Sequence, residues 1–251
     1  MTTILGLFDV HYPLHDKKCM EIYKKIAADI KPDYLVFGGD NINCSSISKF
    51  TYKDWEDGYW DVLDEAKGFR EDYYLPMIKA CDNKKMKVVL LRGNHDGQRL
   101  QTFFNKMKNK WNKKKYKHYY DMIDFKKIYP EAEIKEYNEF KKIGKLDITH
   151  GEYHNPTHAQ KHAQEYDNDI MYGHVHTLDI KTIKKKSKGR HVTAYSVPGG
   201  MKMGVEYMKN KSSYWMQGCS VVYEDDAGNP FVYPIVIRGG KTIFNNKVYT
   251  P

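Results

Sequence analysis

The stretch KVVLLRGNHD, residues 87–96, decides the fold of this chain. Its first half is a short aliphatic run that predicts a buried strand over Lys87–Leu91. A cluster of polar groups, Arg92-Gly93-Asn94-His95-Asp96, follows the strand directly. Ligands collect at the carboxyl ends of the strands in α/β proteins, so this junction predicts an α/β fold with a functional site at one sheet edge.

The same junction recurs at four other predicted strands. Each apolar run is followed by residues with metal-binding side chains, and the glycines in these clusters permit tight turns and close approach of the backbone. The strands Thr3–Phe8, Tyr34–Phe37, Leu146–Thr149 and Asp169–Tyr172 end in Asp9-Val10-His11, Gly38-Gly39-Asp40-Asn41, His150-Gly151 and Gly173-His174-Val175-His176, respectively. Five such clusters are expected to converge on one site.

The pattern between these strands predicts the remaining elements. Apolar residues at helical spacing predict helix over Lys17–Ile30, across Trp55–Cys81 and over Thr157–Tyr166. The second half of the chain is rich in strands, with further ones predicted at Asp179–Ile183, His191–Val197, Gly218–Tyr223 and Val232–Arg238. A β-α-β-α-β order followed by many strands is typical of an α/β protein.

The composition is that of a globular chain. Of its 251 residues 41% are hydrophobic, and no apolar run approaches the ~20 residues of a membrane span. The apolar N-terminus has no basic segment before it and is interrupted by Asp9, so we expect a buried strand, not a signal peptide, and a cytoplasmic protein. The four cysteines form no Cys-x-x-Cys pair, which favours free, reduced thiols.

The chain is basic, with 41 Lys and Arg against 32 Asp and Glu and a formal net charge of +9. Only five of the basic residues are Arg. A surface dominated by lysine favours non-specific affinity for polyanions over the reading of bases. An AT-rich coding sequence explains the same bias equally well, so charge alone leaves the partner open.

Lysines and aromatic residues are concentrated at about residues 99–145. We predict a helix over Gln98–Lys110, an irregular basic link at Lys113–Lys117, a short helix up to Tyr129 and a strand at Ile134–Tyr137. Interleaved lysines and aromatics are typical of a surface that holds DNA or RNA. A solvated helix face is the simpler interpretation, and both stay open.

The residue types in the five clusters indicate a transition-metal site. Asp, His and Asn offer oxygen and nitrogen donors that suit Mn²⁺, Fe or Zn²⁺, whereas a Ca²⁺ site takes oxygen ligands throughout. Residues i and i+2 of a strand point to the same side, so Asp9 with His11, and His174 with His176, are expected to present pairs of ligands.

The blocks DVH, GGDN, GNHD, HG and GHVH, in this order between Asp9 and His176, resemble the calcineurin-like metallophosphoesterase superfamily. The segments SVPGG at 196–200 and WMQG at 215–218 also resemble small phosphoesterases of phage genomes. The resemblance implies a two-sheet β-sandwich flanked by helices, in αββα order. It implies a single domain over residues 1–251 with the basic region as an insertion, located in the host cytoplasm if the chain is phage-encoded.

The resemblance also implies two divalent metal ions, with Mn²⁺ preferred and Fe or Zn²⁺ as alternatives. One ion would be held by Asp9, His11, Asp40 and His176. The other would be held by Asp40, Asn94, His150 and His174, with Asp40 bridging. His95 would be the general acid, oriented by Asp96, and Asn41 and His154 are expected to contact the substrate.

The leading hypothesis is therefore a two-metal phosphodiesterase acting on nucleic acid or nucleotides. A phosphomonoesterase, a cyclic-nucleotide phosphodiesterase and a non-catalytic binding module on the same fold are the alternatives. Protein serine/threonine phosphatases carry an arginine in a GDxVDRG block where this chain has GGDNIN at 38–43, which disfavours that activity. Arg92 is expected to pair behind the site or at the surface.

The remaining histidines are predicted to be structural or exposed. His158 and His162 lie four residues apart on a predicted helix, which is a spacing that suits a metal, but the ligand set is complete without them. His15, His118 and His191 are expected at the surface.

Overall fold

The computed structural model describes residues 1–48, 55–185, 189–204 and 214–251. Strands and helices alternate in the first half, and strands dominate the second. The strands are β1 (Thr2–Leu7), β2 (Tyr34–Gly38), β3 (Lys87–Leu91), β4 (Ala132–Lys135), β5 (Lys141–Ile143), β6 (Leu146–Thr149), β7 (Asp169–Tyr172), β8 (Asp179–Lys185), β9 (Arg190–Ser196), β10 (Gln217–Glu224), β11 (Pro230–Ile237), β12 (Thr242–Phe244) and β13 (Lys247–Tyr249).

The helices are α1 (Lys17–Ile30), α2 (Trp55–Phe69), α3 (Leu75–Cys81), α4 (Leu100–Met107), α5 (Lys113–Met122), α6 (Phe125–Ile128) and α7 (His158–Glu165). Two π-helical segments, Arg70–Tyr74 and Asn94–Arg99, precede α3 and α4, respectively. Among the described residues no helix combines the length and the apolarity needed to cross a membrane.

Two sheets form the centre of the molecule. The first has the order β11-β10-β1-β2-β3-β4, and the second has the order β5-β6-β7-β9-β8. Strands β1 to β4 are parallel to one another, and so are β6, β7 and β9. The outer strands β10, β11, β5 and β8 pair antiparallel with their neighbours. Parallel neighbours bring their carboxyl ends to the same edge of a sheet.

The alternation of side chains shows how the layers stack. In β2, Leu35 and Phe37 pack into the core beneath α1, α2 and α3, whereas Val36 packs with Ile148 and Met171 of the second sheet. Successive residues of a strand face opposite sides, so the first sheet is buried on both faces. A third cluster joins α7 to the outer face of β7 and β9. The result is the αββα sandwich that the resemblance implied.

The basic region at about 99–145 packs onto the helical layer through its aromatic residues. The Tyr59 hydroxyl of α2 donates a hydrogen bond to the Tyr119 carbonyl of α5 at 2.7 Å, and the rings of Trp111 and Tyr119 lie 4.8 Å apart. Tyr120 differs from them, with 52% of its surface exposed. Most of these rings therefore contribute to packing.

Helix α5 corrects one expectation from the sequence. An irregular link was expected at Lys113–Lys117 because a lysine run shows no apolar periodicity, but these residues open α5. The Asn112 side chain accepts a hydrogen bond from the Lys115 amide at 2.9 Å and caps the helix. Tyr116 and Tyr119 then pack against the aromatic cluster, so tertiary contacts stabilise a helix with little amphipathic pattern.

Candidate metal centre

The polar residues that follow β1, β2, β3, β6 and β7 meet in one place. His11 Nε2 lies 3.6 Å from Asp40 Oδ2, and His150 Nε2 lies 3.4 Å from the same oxygen. His176 Nε2 lies 3.6 Å from Asp9 Oδ1. The strand ends of both sheets thus contribute to a single cluster, as the five sequence blocks predict.

Backbone amides hold both carboxylates from the turns of neighbouring strands. The His174 amide donates to Asp9 Oδ2 at 2.8 Å, and the His95 amide donates to Asp40 Oδ1 at 2.7 Å. These contacts require glycine: a Cβ at Gly173 would lie 2.3 Å from Asp9 Oδ2, and a Cβ at Gly93 would lie 2.2 Å from Asp40 Oδ1. One oxygen of each carboxylate is therefore fixed, and the other faces the imidazoles.

The ligand atoms fall into groups that resemble the two sets expected from the sequence. Potential ligand atoms within 4.8 Å of one another form the groups Asp9, His11 and His176; Asp40, His150 and His174; and His11, Asp40 and His95. Asn94 joins the second group, because its Oδ1 lies 3.0 Å from His150 Nε2. Asp40 takes part in two of the three groups, as a bridging ligand would.

Two features of this cluster fit a bound cation. Asp9 Oδ1 is buried and has no hydrogen-bond partner within the described part of the chain. The Nε2 atoms of His11 and His176 lie only 3.2 Å apart. A buried carboxylate oxygen without a partner is costly, and a divalent cation between it and these nitrogens would satisfy all three atoms. The residues present therefore fit the metals that the sequence predicts.

The protonation of the histidines also suits ligation. Burial lowers the pKa of His176 to about 3 and that of His174 to about 4, and it holds the pKa of His11 well below its ordinary value. These imidazoles are neutral at pH 7, and neutral imidazole is the form that binds metals. His150 differs: although burial opposes protonation, the Asp40 carboxylate raises its pKa to about 9.

Backbone strain is concentrated at the same residues. Asp9, His11, Asp40, His174 and His176 all have positive φ, between 49° and 70°. Residues other than glycine rarely adopt this conformation, which costs of order 1–3 kcal/mol per residue and persists only where the surroundings enforce it. The strained turns aim the side chains inward directly after the strands end.

Asn43 is a site residue that the sequence reasoning missed. His95 Nδ1 lies 2.8 Å from the Asn43 carbonyl, and His11 Nδ1 lies 3.1 Å from Asn43 Oδ1. Asn43 thus orients two of the clustered imidazoles at once. Its position three residues after Asp40, in the turn that follows β2, is the only signal that the sequence offered.

The orienting role expected for Asp96 is wrong. Its Oδ2 accepts hydrogen bonds from the backbone and side-chain nitrogens of Asn41, at 2.8 and 2.9 Å, and its Oδ1 accepts one from the Gly93 amide at 2.6 Å. Adjacent residues on a helical turn point in different directions, so Asp96 faces away from the His95 ring. Asp96 instead fixes the turns that follow β2 and β3.

The expectation for Asn41 needs the same correction. Its side chain is fully buried and donates to the Leu91 carbonyl and to Asp96, so it joins two strand ends and does not face a substrate. His154 is exposed and its ring lies 6.0 Å from that of His174, beside the cluster. Its contact with a substrate remains a prediction.

Two further residues support the turn that carries Asn43. Arg99 Nη1 donates to the Asn43 carbonyl at 2.8 Å, and Arg99 Nη2 lies 3.2 Å from His95 Nε2. Glu65 Oε2 accepts a hydrogen bond from the Cys44 amide at 2.6 Å. On the other side of the cluster, the Trp215 ring stacks on His176 at 4.3 Å. No local sequence pattern identifies these long-range contacts.

The other histidines and Arg92 behave mostly as predicted. His158 and His162 are buried and structural: His158 Nδ1 lies 2.8 Å from the Tyr172 hydroxyl, and His162 stacks on the same ring. Arg92 pairs with Glu136 at 2.6 Å. His118 and His191 are exposed, but the expectation for His15 is wrong, because it is buried and stacks on Tyr12.

An αββα sandwich with a histidine and aspartate cluster at its strand ends defines the class of metal-binding phosphoesterases. The family model of calcineurin-like phosphoesterases matches residues 3–178, and the chain belongs to this family. The family binds two divalent metals, and its members are usually metal-dependent phosphoesterases. Comparison with curated protein sequences gives no significant match.

A solved structure with a TM-score above 0.5 shows the same fold at low sequence identity. Vacuolar protein sorting 29 from Cryptosporidium parvum is 14% identical over 100% of this chain and 98% of that one, with a TM-score of 0.51. Zinc-bound Vps29 from Entamoeba histolytica is 12% identical over 98% and 95%, with a TM-score of 0.44. YfcE, a phosphoesterase from E. coli, is 12% identical over 92% and 98%, with a TM-score of 0.40.

Glu65→Gln is predicted to change how stability depends on pH. Burial, with Asp61 nearby, raises the pKa of Glu65 from 4.5 to about 7. The native state thus favours protonated Glu65. This preference adds fully to the free energy of unfolding below pH 4.5, and the added stability is lost as pH rises through 7. Relative to the wild type, the free energy of unfolding of Glu65→Gln should rise between pH 5 and 8, by about 3 kcal/mol in full.

Urea unfolding of the metal-free proteins at several pH values measures this difference. Glu71→Gln, which alters an exposed glutamate, is the matched control and should follow the wild type. A difference between Glu65→Gln and the wild type that stays constant from pH 5 to 8 would contradict the assignment.

Divalent metal is predicted to stabilise the protein through Asp40. A ligand at a hundred times its Kd adds about 2.7 kcal/mol to the free energy of unfolding, so Mn²⁺ or Zn²⁺ should raise the Tm of the wild type. Asp40→Asn removes a charge that two ligand groups share and should lose most of this rise. Thermal unfolding measures the rise in Tm, and metal analysis measures how much metal each protein binds. Asp121→Asn on α5 is the control, and an equal rise in Asp40→Asn would refute the prediction.

Proposed function

We propose that the protein is a two-metal phosphodiesterase that acts on nucleotides or nucleic acid, with His95 as the general acid. The proposal is supported chiefly by the convergence of two ligand groups on Asp40, with His95 Nε2 only 3.8 Å from Asp40 Oδ2. A base or acid beside a metal pair is what phosphoester hydrolysis requires.

The first metal would be held by Asp9, His11, Asp40 and His176, and the second by Asp40, Asn94, His150 and His174. When bound, two divalent ions, for which Mn²⁺ is our first choice and Fe or Zn²⁺ the alternatives, polarise the phosphate and supply an activated water. Their charge of +4 exceeds that of the two carboxylates by two. Phosphate esters are anions, so this surplus favours their binding and the charge that develops during reaction.

His95 is positioned to give a proton to the leaving group. A hydrogen bond from its Nδ1–H to the Asn43 carbonyl holds the ring, so Nε2 faces the cluster. In the general-acid role, His95 gives the departing oxygen a proton from Nε2, which lies 3.8 Å from Asp40 Oδ2 and 3.2 Å from Arg99 Nη2. Asn43 is thus a positioning residue for the acid.

Arg99 is placed to bind the phosphate. Its guanidinium contacts two backbone carbonyls and His95 Nε2, and no carboxylate of the described residues lies within 4.0 Å of it. A planar guanidinium with donors to spare suits an anionic phosphate oxygen. Arg99 therefore supplies, from the segment after β3, the arginine that the GGDNIN block lacks.

His95→Ala is predicted to lower kcat about 10²- to 10⁴-fold, the usual contribution of a general acid. The loss should be larger for a dinucleotide, whose alkoxide leaving group needs a proton, than for thymidine 5′-monophosphate p-nitrophenyl ester, whose phenolate does not. Steady-state kinetics of the Mn²⁺-loaded protein measure the loss of kcat on each substrate. His118→Ala, at an exposed histidine, is the control. Equal losses on the two substrates would rule out the acid role.

Arg99→Ala is predicted to lower kcat/KM for bis-p-nitrophenyl phosphate about 10- to 150-fold, since a hydrogen bond to a charged group contributes ~1.5–3 kcal/mol. Added guanidinium ion should restore part of the rate, because it can occupy the vacated position. Arg238→Ala, at an exposed arginine, should behave as the wild type. If Arg99→Ala loses activity that guanidinium ion does not restore, and inorganic phosphate inhibits it as strongly as the wild type, then Arg99 has a purely structural role.

The same assays separate the proposed function from its alternatives. The wild type is expected to hydrolyse bis-p-nitrophenyl phosphate faster than p-nitrophenyl phosphate, and to cleave DNA or nucleotide esters. A preference for the monoester would favour a phosphomonoesterase. Metal-loaded protein that hydrolyses neither ester would favour a non-catalytic binding module.

A further inference from the structure

A cleft of about 460 Å³ lies beside the segment that carries Asn94 and His95. Gly97 of that segment and Leu100 and Gln101 of α4 form one wall. Residues of α5, α6 and the loop after β4 form the others. The basic region at 99–145 therefore builds most of the cleft.

The cleft has an apolar floor and a polar rim. Leu100, Phe104 and Phe125 are buried and form the floor, and the exposed side chains of Gln101 and Asn105 stand at the rim. These two amides are four residues apart, on the same side of α4. An apolar interior with a few converging polar groups, in a volume of 300–1,000 Å³, is typical of small-molecule sites.

Aromatic rings of the cleft offer a surface for stacking. Tyr120 is 52% exposed, and its ring lies nearly parallel to that of Tyr116, at 18° and 5.9 Å. The edges of both rings are supported by Phe104. A flat group that enters the cleft can stack on a tyrosine whose orientation is already fixed by its neighbours.

The charges around the cleft balance. Arg92 is occupied by Glu136 and by the Asp96 carbonyl, and the Asp124 carboxylate caps the first turn of α6 beside Lys126. A cleft with two basic and two acidic side chains does not select a second phosphate. Its chemistry suits a neutral, planar ring with hydrogen-bonding edges.

The cleft is within reach of the metal centre. Gly97 is three residues from Asn94, which corresponds to roughly 5 Å along a helical axis. Tyr137 lines the cleft and packs on Gly97, in the segment that carries Asn94 and His95. A ligand can therefore span both sites with one phosphate and its attached nucleoside.

We propose that this cleft binds a nucleobase of the substrate whose phosphate is held at the metal centre. The proposal rests on the proposed phosphodiesterase function and narrows its substrates to nucleotide esters. Asn and Gln amides pair with the donor and acceptor atoms of a base edge, while Tyr120 stacks on its face. The amides and the ring together distinguish a base from an aliphatic leaving group.

Two nitrophenyl esters test the proposal with a single readout. Thymidine 5′-monophosphate p-nitrophenyl ester carries a base on the group that stays on the phosphate, and methyl p-nitrophenyl phosphate carries only a methyl group there. Base stacking contributes ~1–3 kcal/mol, so Tyr120→Ala should raise KM for the thymidine ester about 5- to 150-fold. Gln101→Ala should raise it less, and both variants should hydrolyse methyl p-nitrophenyl phosphate within twofold of the wild type. Tyr233→Ala, an exposed tyrosine on β11, is the matched control.

A binding measurement makes the result independent of catalysis. Saturation-transfer NMR of metal-free protein with thymidine should show binding to the wild type and to Tyr233→Ala, and much weaker binding to Tyr120→Ala. Equal effects of Tyr120→Ala on both esters, or unchanged thymidine binding, would overturn the cleft assignment. A wild type that hydrolyses neither ester but binds thymidine would instead refute the phosphodiesterase function alone. A single-stranded oligonucleotide as competitor shows whether a polymer reaches the same cleft.

Discussion

The burial of Asp9 and Asp40 between the strand ends of two sheets is the constraint on which the site depends. Both carboxylates are almost completely shielded from water, which costs several kcal/mol for an ionised group unless partners replace the solvent. Here backbone amides from the turns of other strands satisfy one oxygen of each, and imidazoles surround the other. The two sheets therefore contribute different residues to one site, and the cluster forms only when the sheets pack against each other.

This arrangement explains why strain is tolerated at the predicted metal ligands. The positive φ angles of Asp9, His11, Asp40, His174 and His176 oppose folding, but each of these residues lies in the turn after a strand that is fixed by the hydrophobic core. Behind them, Asn43 joins the imidazoles to Arg99, and Glu65 ties the same turn to α2. The helical layer thus helps to determine the orientation of His95, although it provides none of the predicted metal ligands.

The sequence predicts the parts of this structure that depend on local pattern. Strands β3 and β7 have the predicted bounds, and the clusters after five strands meet because parallel strands share an edge. Contacts between distant segments have no signature in the local sequence and were not predicted. Asn41 points inward to Asp96, and His15 is covered by Tyr12. Asn43 rather than Asp96 orients His95. The orienting role of Asp96 was implied by the family resemblance, but adjacent residues of a helical turn point in different directions. The first half of α5, Lys113–Lys117, was not predicted as helix because its stability comes from the packing of α5 against α2 and α4.

The π-helical segment Asn94–Arg99 lies between the histidine and aspartate cluster and the cleft. Its residues diverge in direction, so that Asn94 and His95 face the cluster, Arg99 returns to His95, and Gly97 borders the cleft. Because π-helical geometry is less favourable than α-helical geometry, it occurs mostly where function requires it. The predicted metal ligands all lie outside residues 99–145, whereas most of the cleft comes from that region. A change in the cleft residues of this region would therefore leave every predicted metal ligand in place.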